Sequence, residues 1–96
     1  MNFHVSKPAG KDLVEIWTYS QQQWGTQQAD LYLESLALRM AWLTENRELW
    51  RTRQAVKEGV FSYLENRHVI YFAAARKGIN ILRVLHYRMD PGQRLE

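Results

Sequence analysis

Apolar residues recur at steps of three and four along the first half of the chain, then alternate or run together along the second, with the period changing near residue 60. Ala9, Leu13, Ile16, Ser20 and Trp24 form one helical face, with Trp17 beside it. Ser6 supplies a capping oxygen ahead of this stripe, and Pro8 suits a first turn, where its missing N–H would have had no partner. Gly25 is a natural left-handed stop and Thr26 can cap a second helix, so the two helices must fold back as a hairpin. The second helix covers about residues 27–45, with Ala29, Leu33, Leu36, Met40 and Leu43 as its core stripe. Leu31, Leu38 and Trp42 fall nearly opposite, so this helix is apolar on two faces. Either the hairpin and a sheet sandwich it, or a partner covers the second stripe.

Residues 2–6 read as a short strand. Residues 44–59 form a charged connector with Leu49, Trp50 and Val56, to which no element is assigned. Residues 60–65, 68–75 and 79–87 are rich in β-branched and aromatic side chains, and Asn66 and Gly78 supply the positive φ that tight turns need. The pattern predicts an α+β chain of order βααβββ, a helical hairpin packed on a small antiparallel sheet, as one domain over residues 1–96. A three-residue loop Arg76–Lys77–Gly78 would pair Ala75 with Ile79 and set His68 opposite His86. One sheet face would then carry Val69, Tyr71, Ala73, Ala75, Ile79, Ile81, Leu85 and Tyr87, interrupted by Arg83, and take the helices. The other would hold Ile70, Phe72, Ala74, Leu82 and Val84, with His68, Asn80, His86 and Arg88 at its ends. Arg83, alone among apolar neighbours, needs an anionic or carbonyl partner, and Asp12 or Glu15 could supply it.

Composition narrows the chemistry. The 96 residues include no cysteine, which removes disulfides, thiolate metal sites and a Cys nucleophile, and fits a reducing cytoplasm. The longest apolar run, residues 69–75, falls far short of the ~20 residues that span a bilayer, and no signal-peptide core follows the first lysines. The net charge of +3 conceals an asymmetry. Residues 1–48 carry four basic and six acidic groups, and residues 49–96 carry nine and four. A cationic second half suits a nucleic-acid backbone, a DNA-associated partner or an acidic protein segment, as well as a merely solvated surface.

Two cross-strand histidines beside Arg88 are capable of proton transfer and phosphate contact, or simply cap the sheet. No His-x-x-x-His or third ligand at fixed spacing points to a metal, and the scattered glycines form no phosphate loop, so neither metal nor cofactor is expected. Of the four tryptophans, Trp17 and Trp24 fit the core stripe, and Trp42 and Trp50 are expected nearer the surface.

The chain also resembles the ParE branch of the RelE/ParE toxin superfamily. The matching residues are Ala9, Asp12–Leu13, Ile16, Tyr19, Trp24–Gly25, Ala29 and Tyr32–Leu33, then Gly59, Arg67 through Tyr71, and the block from Ile81 to Asp90 with its R-V-L-H-x-R-M-D core. The resemblance implies a cytoplasmic bacterial toxin that inhibits or poisons DNA gyrase. It also implies neutralisation by a ParD-like antitoxin in a hetero-oligomeric complex, without sequence-specific DNA binding by this chain alone. Leu31, Leu38, Trp42, Ile70, Phe72, Leu82 and Val84 are the expected antitoxin contacts, and Arg88, Met89 and Arg94 the expected gyrase contacts. The RelE-like relatives imply a second reading, metal-independent cleavage of ribosome-bound messenger RNA, with Lys57, His68, His86 and Arg88 in the catalytic roles.

Overall fold

The computed structural model describes residues 2–52 and 58–94. The chain runs through β1 (Phe3–Val5), α1 (Lys7–Trp24), α2 (Thr26–Glu45), a 3-10 turn at Arg47–Leu49, β2 (Arg51–Thr52), β3 (Phe61–Glu65), β4 (His68–Ala75) and β5 (Gly78–His86), then a 3-10 turn at Pro91–Gln93. The strands form one sheet in the order β1-β5-β4-β3-β2. β1 lies parallel to β5 and the other pairs are antiparallel, so the sheet is mixed rather than wholly antiparallel. β2 lies in the connector to which sequence assigned nothing; two residues pairing with Ser62 and Phe61 are too few to leave a period.

The helix signals act as expected, with one change. Ser6 caps α1 by accepting from the Ala9 N–H at 3.2 Å, and Pro8 lies in the first turn. Gly25, at φ +91°, ends α1 and also starts α2, so Thr26 is the first helical residue rather than its cap. No helix of the described residues is long and apolar enough to cross a membrane.

The faces of the sheet differ from the sequence reading. A two-residue turn, Arg76–Lys77, pairs Ala75 with Gly78 and Phe72 with Ile81, which brings Ile79 and Ile81 onto the face of Phe72. The register then slips by one residue between Tyr71 and Phe72, so that Tyr71 pairs with Arg83 and His68 with His86. The extra residue, Leu82, is a bulge that restores Val84 to the same face as Ile79 and Ile81. Ile70, Phe72, Ile79, Ile81 and Val84 therefore meet Ala9, Ile16, Leu36, Met40 and Leu43 of the helices in one core. Val69, Tyr71 and Leu85, expected beneath the helices, form a smaller cluster with Val60 instead.

The tryptophan expectation also inverts. Trp24 is 53% exposed. Trp42 and Trp50 are half-buried against the core. Chain reversal at the 3-10 turn brings the Trp50 ring within 5.0 Å of Phe61 and Phe72, and its indole N–H donates to the Leu43 carbonyl at 2.8 Å.

β1 covers only the first part of β5, and α1 completes the edge. The Ile79 N–H donates to the Asn2 carbonyl and the Ser6 N–H to the Ile81 carbonyl, both at 3.0 Å. Ser6 Oγ donates to the Leu82 carbonyl, also at 3.0 Å. Asp12 then accepts from the Val84 N–H at 3.0 Å and from Arg83 Nε and Nη2 at 2.7 and 2.8 Å. The partner expected for Arg83 is thus Asp12, although Arg83 stands across from Tyr71 rather than under the helices. At the start of this edge a Cβ on Gly78 would lie 1.7 Å from the Asn2 carbonyl oxygen, so only glycine lets β1 approach. Asp12→Ala, which strands a half-buried guanidinium and a buried strand N–H, is expected to cost about 2 kcal/mol in urea unfolding. Gly78→Ala is expected to displace β1 and expose the Ile79 amide to hydrogen exchange.

Candidate functional site

The end of the sheet where β4 begins and β5 finishes carries the densest cluster of polar and aromatic groups. His68 and His86 are cross-strand partners, with ring centroids 5.6 Å apart and planes at 88°. Tyr32 reaches them from α2, its hydroxyl 2.6 Å from His68 Nδ1. The Arg67 N–H donates to the same hydroxyl at 3.4 Å, so the phenol ties the start of β4 to α2 while His68 Nδ1 is occupied by it. His86 Nδ1 accepts the Arg88 N–H at 3.2 Å, so neutral His86 carries its hydrogen on Nε2. Both rings therefore spend Nδ1 inside the fold, and His86 keeps an N–H donor.

Burial, reinforced by the neighbouring His86 and Arg67 charges, lowers the pKa of His68 to about 4. Burial likewise raises that of Tyr32 above its ordinary value. At neutral pH the pair is an uncharged phenol hydrogen-bonded to an uncharged imidazole, a structural bond between α2 and β4.

The expected site residues separate into groups. His68 and His86 come together, and the Arg88 guanidinium is engaged by Tyr87, whose ring packs 4.7 Å from His86, with Nε donating to the phenolic oxygen at 3.0 Å. Lys57 lies outside the described residues. Leu31 and Leu38 are 51% and 63% exposed on α2, and Trp42 and Leu82 are half-buried. Ile70, Phe72 and Val84 are fully buried beneath the helices, because the turn and bulge place them in the core, so an accessible groove cannot include them. Arg88, Met89 and Arg94 are exposed, and the Arg94 carbonyl accepts from Arg83 Nη1 at 3.0 Å.

Sequence reasoning missed Tyr32, Trp24 and Arg67 at this site. Tyr32 lies beside the core stripe of α2, where a half-buried phenol requires a polar partner; apart from its place in the family resemblance, that was its signal. Arg67 follows Asn66, whose φ of +56° makes the tight β3–β4 turn, and its guanidinium lies 5.6 Å from the Trp24 ring. Two cavities flank the histidines and share Tyr19, His68 and His86. The larger, about 710 Å³, runs along α1 between Lys7, Lys11 and Arg94. The smaller, about 550 Å³, lies between Trp24, Tyr32 and Arg67.

Because His68 binds its proton less readily when folded than when unfolded, its neutral form favours the folded state above pH 6.5. That contribution falls as pH drops from 6.5 through about 4. Stability followed by urea unfolding is expected to decline across this window, with a shallower slope in His68→Phe, and NMR titration should find the His68 ring neutral at pH 5.5.

The sequence matches the family described as "ParE toxin of type II toxin-antitoxin system, parDE" over residues 3–91. It is 30% identical over 88 residues to Toxin ParE1 of Caulobacter vibrioides, covering 92% of this chain and 91% of that one. It is 29% identical over 92 residues to Toxin ParE1 of Mycobacterium tuberculosis, covering 95% and 94%. The fold superposes with a TM-score of 0.76 on a chain from a solved structure titled "Chromosomal ParDE TA system from P. aeruginosa". That superposition covers 90% of this chain and 95% of the other at 22% identity. With the helical hairpin, the mixed sheet and nearly the whole sequence in agreement, the chain belongs to the ParE toxin family of type II toxin–antitoxin systems.

Proposed function

We propose that this toxin acts in the bacterial cytoplasm on DNA gyrase and is held inactive by a ParD-type antitoxin. The observation that carries the reading is the family match across residues 3–91, together with ParE1 relatives aligned over more than nine-tenths of the chain. The partner reading draws further support from apolar side chains left in water on the hairpin: Val14 is 65% exposed on α1, and Leu31 and Leu38 line the outer side of α2. An amphipathic antitoxin segment that orders as it binds would cover them, with half-buried Trp42 beside this row and Leu82 on the sheet as lesser contacts. The exposed stretch with Arg88, Met89 and Arg94 is the candidate gyrase surface, since it is cationic and lies away from the outer side of α2.

Messenger cleavage is the weaker reading. A general base needs a free acceptor nitrogen, and His86 commits its own to the Arg88 N–H, while Arg88, the cation expected beside it, places its guanidinium on Tyr87.

Purified toxin with gyrase and supercoiled plasmid is expected to abolish supercoiling or produce gyrase-dependent linear DNA, while ribosome-bound messenger stays intact. Cleaved messenger with unaffected supercoiling would reverse the assignment. Leu31→Glu and Leu38→Glu, both on exposed helix surface, are each expected to weaken antitoxin binding by about tenfold in calorimetry without lowering the thermal midpoint.

A further inference from the structure

The smaller cavity has a composition that toxin–antitoxin pairing does not account for. Of the described residues that line it, Tyr19, Trp24 and Tyr32 are aromatic, Arg67 is cationic, His68 and His86 are imidazoles, and none is acidic. Trp24 and Tyr19 are 53% and 57% exposed, and their rings meet edge to face at 6.1 Å. Large aromatic rings left in water beside a cation provide a stacking platform next to an anion site.

The charge at this site is uncommitted. The ion pairs among the described residues are Arg39 with Glu65 and Arg83 with Asp12, so the exposed Arg67 guanidinium has no carboxylate and rests only near the Trp24 ring. Its backbone N–H is already used by Tyr32, which fixes the turn from which the side chain projects. His86 adds an N–H donor, because its Nδ1 accepts from the Arg88 backbone. The larger cavity differs: Lys7, Lys11, Arg83 and Arg94 share it with Asp12 and Glu15, and it holds neither Trp24 nor Tyr32, so it offers charge without the paired stacking rings. A volume of about 550 Å³ is within the usual range for a small organic ligand.

We propose that this cavity binds a nucleoside phosphate, with the base against Trp24 and Tyr19 and the phosphate held by Arg67 and the His86 N–H. An acidic peptide would satisfy the cation but leave the paired indole and phenol rings without a planar partner, so the nucleotide fits more of the site. The ligand is either a free nucleotide or one unit of a single strand, and both present the same ring and phosphate. The site is separate from the exposed outer row of α2 and stands whether or not gyrase is the target.

Calorimetric titration of the full-length chain with adenosine monophosphate, and separately with a single-stranded hexanucleotide lacking terminal phosphates, distinguishes the two sources. Histidine ring NMR shifts are recorded alongside. Saturable binding of the mononucleotide identifies a free-nucleotide site, and saturation by the hexanucleotide alone identifies a strand; either supports the proposal. Arg67→Ala and Trp24→Leu, both at exposed side chains, are expected to weaken binding at least about tenfold with unchanged thermal midpoints. Adenosine and inorganic phosphate, each carrying half of the recognised chemistry, should bind more weakly than the intact nucleotide. The proposal fails if neither ligand shifts the His68 and His86 resonances, or if binding survives both substitutions. It also fails if polyglutamate occupies the cavity and adenosine monophosphate cannot displace it.

Discussion

The carboxylate of Asp12 does the work of a missing strand. β1 is three residues long and leaves the second half of β5 with an open edge, yet a helix must begin at once to bring the hairpin back over the sheet. An unpaired amide at that edge, packed under α1, would cost as much as a lost hydrogen bond. Ser6 and then Asp12 carry the hydrogen bonding onward, and Arg83 neutralises the charge this requires. The placement of α1 on the sheet follows from this contact, and with it the position of Tyr19 and Trp24 at the far end of the helix.

The second constraint is the pairing of β4 with β5. A two-residue turn and a one-residue bulge have opposite effects on register, so the two ends of the hairpin obey different alternations. Near the turn the pairing gathers Phe72, Ile79 and Ile81 for the core. Beyond the bulge it sets His68 against His86, where Tyr32 can reach across from α2. The polar cluster and the apolar core are therefore products of the same local irregularity, which turns one strand pair into both a floor for the helices and a wall for two cavities.

This accounts for what the sequence made legible. Helix boundaries were readable because capping chemistry is local: Ser6, Pro8 and Gly25 act on backbone groups within a few residues. The His68–His86 pairing was readable because the turn and bulge cancel over its length. The assignment of sheet faces was not, since a bulge leaves no mark in a run of β-branched residues, and Ile70, Phe72 and Val84 were consequently placed outside rather than in. Trp24 and Trp50 exchanged roles for a similar reason. Helical periodicity describes a face, but how far along the helix the sheet extends, and where a charged connector folds back, depend on contacts distant in sequence. Arg67 stood among the residues of the family resemblance, but nothing local marked it as part of a site, because its significance comes from Trp24 approaching it from another element.

The parallel pairing of β1 with β5 has a consequence for how the toxin is made. Phe3 finds its partner at Ile79 and Asp12 at Arg83, so the first dozen residues wait for nearly the whole chain. On a ribosome adding roughly 5–20 residues per second, the hairpin emerges seconds before the strand that it must cover. Through that interval the core stripes of α1 and α2 have no sheet beneath them. A neutralising segment already present in the cell would meet a nascent chain whose apolar surface is most open before the sheet is complete, so that capture and folding can proceed as one event during synthesis.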